Sequence, residues 1–86
     1  MDSEEAKNCS EIIRTLTLVL SQLELKKNFN EKVNSSLKES VCASLMQLEC
    51  LPKDEAKVVY DLVEGEKFDE ARERLLRISY ELLKVR

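Results

Sequence analysis

From Phe68 onward the apolar residues Phe68, Ala71, Leu75, Ile78, Leu82 and Val85 follow one another in steps of three and four without a miss. That spacing keeps one face of an α-helix turned the same way and cannot be satisfied by a strand, whose faces alternate every residue. The same rhythm runs through Ala6, Cys9, Ile13, Leu16, Leu20 and Leu23, through Val33, Leu37, Val41, Leu45 and Leu48, and through Ala56, Val59, Tyr60 and Val63. With one glycine and one proline in 86 residues, few positions can interrupt it. The sequence therefore predicts an all-α fold: a small antiparallel helical bundle of about four helices, irregular because their lengths are unequal. Residues 1–86 read as a single helical-bundle domain.

Local chemistry sets the breaks. Asp2, with Glu5 three residues on, is suited to cap the first helix. Asn28, Phe29 and Asn30 interrupt the pattern, and Asn30 is the expected N-cap of the second helix, although one long helix through this segment is left open. Pro52 stops the second helix, since its ring disfavours helical geometry at Leu51 and it carries no N–H. Asp54 and Glu55 then sit at the positive end of a short third helix closed by Gly65. The fourth begins near Glu66, with Glu70–Arg74 and Glu73–Arg77 spaced for ion pairs along its exposed side, and Lys84 and Arg86 at the negative end of its dipole.

Composition narrows the function. Fourteen basic and 17 acidic residues give a net charge of −3, so no positive field draws the chain to phosphate backbones, and nucleic acid is disfavoured as a partner. The apolar stretch from Ile12 to Leu25 is broken by Arg14, Thr15, Ser21, Gln22 and Glu24, too polar for a membrane span. The acidic start is unlike a secretory signal. Three widely spaced cysteines, Cys9, Cys42 and Cys50, do not make a disulfide framework, so an intracellular, cytoplasmic setting with structural thiols is the expectation.

Chemistry is hard to place on these residues. Histidine is absent, which removes the commonest proton-transfer group near neutral pH and histidine phosphotransfer with it. Three scattered thiols fall short of a zinc site, no Glu-x-x-His pair offers a carboxylate di-metal centre, and one glycine cannot build a phosphate loop. The sequence thus assigns no catalytic, cofactor-binding or metal-ligating residue, and carboxylates such as Asp61 or Glu64 lack a partner motif. Lys26, Lys27 and Lys32 are the weak candidates for phosphate contacts, diluted by Glu24 and Glu31.

The surplus is apolar. The first and fourth helices carry second stripes beyond what one narrow bundle seam needs, and Leu18, Leu25, Phe29, Leu76, Tyr80 and Leu83 are the candidate protein-interaction face. The segment from Gly65 to Ala71 resembles the start of the second helix in tetratricopeptide-type repeats, where an aromatic, an acidic residue and a small alanine pack a helical hairpin. Similar turns occur in the helical domain of the steroid receptor RNA activator protein. The repeat family's first-helix pattern is missing and no second copy recurs, so the resemblance assigns no family. The expected function is a non-enzymatic interaction or adaptor module that binds another protein or a second copy of itself; the alternative is a small nucleic-acid-associated regulatory protein.

Overall fold

The computed structural model describes residues 3–25 and 30–84. In chain order it forms α1 (Ser3–Glu24), α2 (Glu31–Gln47), α3 (Lys53–Glu64) and α4 (Phe68–Lys84), and no strand occurs among the described residues. The expected all-α bundle is what the chain adopts. Asp2, Val85 and Arg86 lie outside the described residues, so their capping and dipole roles have no structural counterpart here.

The first two helices are separate. Asn30 takes an extended backbone, and its side-chain Oδ1 accepts a hydrogen bond from the Val33 N–H at 2.8 Å, which satisfies one of the free donors at the start of α2. α2 ends at Leu48, whose backbone is again extended, and Pro52 stands at the N-cap of α3. The close of α3 differs from expectation by one residue. Gly65 has an ordinary negative φ, and it is Glu66 that enters the left-handed region, at φ 61°. The Glu66 N–H bonds to Val63 O and the Lys67 N–H to Leu62 O, a Schellman closure in which the glycine falls one position early. A side chain in left-handed geometry costs about 1–2 kcal/mol. Glu66→Gly should therefore raise stability by about 0.5–1 kcal/mol after the added freedom of the unfolded chain is counted, read as a higher urea midpoint. Gly65→Ala should be tolerated, because a Cβ there meets Asp61 O at an ordinary 3.4 Å.

α1 and α4 form the main packing pair and run antiparallel: Ser10 meets Ser79, while Ser21 and Glu24, later in α1, meet Arg72, earlier in α4. The predicted α1 stripe, Ala6 to Leu23, is buried throughout, with Ile13, Leu20 and Leu23 sealed completely. Each fully buried aliphatic side chain contributes roughly 1.5–3 kcal/mol. Val41, Leu45, Val59, Val63, Phe68, Ala71 and Leu75 complete one continuous core shared by all four helices.

Two expectations about charge and pattern give way. Arg74 reaches across to Glu55 of α3 at 3.3 Å instead of pairing with Glu70 on its own helix. In α2 the apolar stripe is continuous in sequence but only its second half is covered: Val41, Cys42 and Leu45 are buried, whereas Val33 is exposed. A further correction concerns the cysteines. Cys9 of α1 and Cys50 of the α2–α3 turn form a disulfide, with their Cα atoms 6.5 Å apart, inside the range for such bonds. The odd count and wide spacing pointed away from any pairing, and the argument for a reducing compartment that rested on them goes with it. Among the described residues no helix is long and apolar enough to cross a membrane.

Candidate functional site

Of the residues expected to form one interaction face, Leu18 lies on α1, Leu25 just past its end, and Leu76, Tyr80 and Leu83 on α4. Leu18 is 66% exposed and Leu25 75%. Leu16 and Leu20, on either side of Leu18, are buried, so Leu18 points away from the core, and Leu25, two helical turns on in sequence, follows the same direction. On α4, Leu76, Tyr80 and Leu83 follow steps of four and three and so share one strip; Leu76 is half-buried, Tyr80 and Leu83 exposed. Phe29 lies outside the described residues, as do Lys26 and Lys27, and Lys32 is exposed at the start of α2.

Beside their shared apolar core, α1 and α4 also meet through polar side chains. Ser10 and Ser79 are both buried, and their hydroxyls lie 2.6 Å apart. Arg72 donates to Ser21 Oγ at 3.0 Å and to Glu24 Oε1 at 3.3 Å. Small hydroxyl residues let the two helices approach while satisfying each other, so Ser79 belongs to the helix interface.

The larger concave site is one the sequence did not single out. Leu45, Met46, Leu48, Leu51, Ala56 and Tyr60 line a groove of about 680 Å³ between the end of α2 and α3, with Glu49, Lys53, Lys57 and Asp61 at its rim. Met46, next to the buried Leu45, is 65% exposed. The signal was present in the cluster of Leu45, Met46, Leu48 and Leu51 just before Pro52, an apolar excess at a helix end where no single helical face can bury it. Two other clefts adjoin the α2–α3 turn: one holds Glu55, Arg74, Arg77 and Glu81 beside Cys50, the other Asn8, Cys9, Ile12 and Cys50 together with Leu48 and Glu49.

Cys42, the free thiol, is buried and donates weakly to Glu64 Oε1 at 3.7 Å. Burial first, and then the negative charge of Glu64, push its pKa up to about 11. It stays a protonated thiol near neutral pH, the opposite of an activated nucleophile. No group of three or more His, Cys, Asp or Glu among the described residues is placed to hold a metal ion. Fold and surface together define the class: an all-α bundle with an apolar groove, charged at its rim, between two of its helices. No protein-family model, curated protein or solved structure matches the chain.

Proposed function

We propose that this chain is a non-enzymatic interaction module that receives an amphipathic helix of another protein in the groove between α2 and α3. The observation that carries the reading is the exposure of Met46 beside Leu48 and Tyr60 in that groove. An adaptable thioether and an aromatic side chain at the wall of an apolar groove are the means by which helical segments are commonly bound. The α3 wall from Lys53 to Asp61 is about 12 Å long at 1.5 Å per residue, room for about two turns of a guest helix. Lys53 and Lys57, one turn apart on the rim, favour carboxylates opposite them, while Glu49 and Asp61 favour a basic residue of the guest nearby.

A peptide-display selection against the folded protein tests this. It should enrich sequences with apolar residues at i, i+3 or i+4, and i+7, and Met46→Asp should weaken the selected peptides by about tenfold or more, the loss of roughly 1.4 kcal/mol. Enrichment of no such pattern, or binding indifferent to Met46→Asp, would sink the groove. A second reading, self-association, is favoured by the exposure of Leu83 and Tyr80 on one strip of α4. Its check is light scattering across concentration: Leu76→Ser with Leu83→Ser should return a dimer to a monomer without loss of helicity.

A further inference from the structure

We infer that the Cys9–Cys50 disulfide is a thiol-sensitive clamp on the α2–α3 groove, so that exchange with a small-molecule thiol loosens the groove and lowers its affinity for an apolar guest. This rests on the groove reading above. The turn from Leu48 to Leu51 is a wall with two sides. Leu51 faces the groove, Leu48 and Glu49 border both the groove and the cleft behind it, and Cys50 lines the cleft but not the groove, with Cys9, Asn8 and Ile12. The other ties on this wall are few and local. Leu48 N–H bonds back to Ser44 O at 3.1 Å and Leu51 N–H to Leu48 O at 3.4 Å, and the apolar anchors are the buried Leu51 and the half-buried Leu48. The disulfide ties the wall directly to α1, the helix at the centre of the core.

Access favours one direction of attack. Cys9 is buried, Cys50 only partly so, and the cleft they share opens to solvent past Asn8 and Glu49. A thiolate such as that of glutathione attacks Cys50 Sγ; the Cys9–Cys50 bond breaks, and Cys9 leaves as a thiolate that takes up a proton. A second thiol then attacks the mixed disulfide, forming the small-molecule disulfide and leaving Cys50 as a thiol. Two external thiols are oxidised as the one cystine is reduced. With the tie gone, the wall moves independently of α1 and the arrangement that accepts a guest is populated less.

The test uses the whole chain with 13C-methyl methionine, which gives two reporters, Met1 and Met46. The probe is 1-anilinonaphthalene-8-sulfonate, titrated against oxidised protein, against protein reduced by glutathione, and against Cys50→Ser without thiol, with helicity followed by circular dichroism. The clamp predicts that the Met46 methyl shifts with probe in the oxidised protein, that affinity falls by about tenfold in both other samples, and that helicity is kept, as for an accepting arrangement reduced to about a tenth of the population. Equal affinity in all three samples overturns the clamp and leaves the groove standing. A Met46 methyl unmoved by probe in every sample overturns the groove and the clamp together. Loss of helicity on reduction overturns the clamp, because the bond would then staple the whole fold.

Discussion

Reduction of the Cys9–Cys50 bond is expected to lower the free energy of unfolding by about 4 kcal/mol in the chain-entropy account, because the bond closes a long loop. The two cysteines are 41 residues apart, so the tie removes a large share of the conformations open to the denatured chain. The folded helices lose only a local contact. Urea denaturation with and without reductant measures the difference: at a slope of about 1–1.5 kcal/mol/M for a small chain, the midpoint should fall by roughly 3 M, and the slope should rise as the denatured ensemble expands. Thiol titration in denaturant gives an independent count, since of the three cysteines only Cys42 should react before reduction and all three after it. Three reactive thiols in the unreduced protein would remove the bond and both predictions built on it.

Legibility from sequence followed how local the deciding interaction was. The α1 stripe from Ala6 to Leu23 and the α4 run from Phe68 to Leu75 could be read because helical period and burial coincide where two long helices pack along their length. α2 has the same period, but a period says which residues share a face and not how much of that face a neighbour covers. Hence Val33 was expected inward and lies exposed, as does Met46 beside the buried Leu45. Ser10, Thr17 and Ser79 are buried for a reason hydropathy cannot signal: small hydroxyl side chains fit where α1 and α4 meet, and Ser10 and Ser79 bond to each other. The Cys9–Cys50 pairing is a tertiary fact, fixed by where the α2–α3 turn lands on α1. The groove is tertiary in the same way, since its α2 and α3 walls were each legible and their separation was not.

Leu75→Ala is expected to cost about 2–5 kcal/mol, and Leu20→Ala a similar amount, because truncating a sealed leucine loses its transfer energy and leaves a cavity the neighbours only partly fill. Both side chains have no exposed surface and belong to the core shared by the four helices. Leu18→Ser, on the outward side of α1, should stay within about 0.5 kcal/mol of the parent, so the three variants separate core from outer surface in one denaturation series. A cost for Leu18→Ser comparable with that of Leu75→Ala would mean that Leu18 is covered, by a second copy or by a rearranged α1. The combination with reduction is more demanding. Small domains are stable by about 5–15 kcal/mol, and a chain of this length belongs toward the lower end. The loss from an open disulfide and the loss from Leu75→Ala act on different states, one on the denatured ensemble and one on the folded core, so they should add. Together they approach the whole stability of the molecule. Leu75→Ala should therefore be helical when oxidised and largely unfolded when reduced, a difference that far-ultraviolet circular dichroism reads directly. Should the reduced variant remain helical with a sharp urea transition, the separate midpoints would show whether the tie between Cys9 and Cys50 or the packing around Leu75 contributes less than its geometry implies.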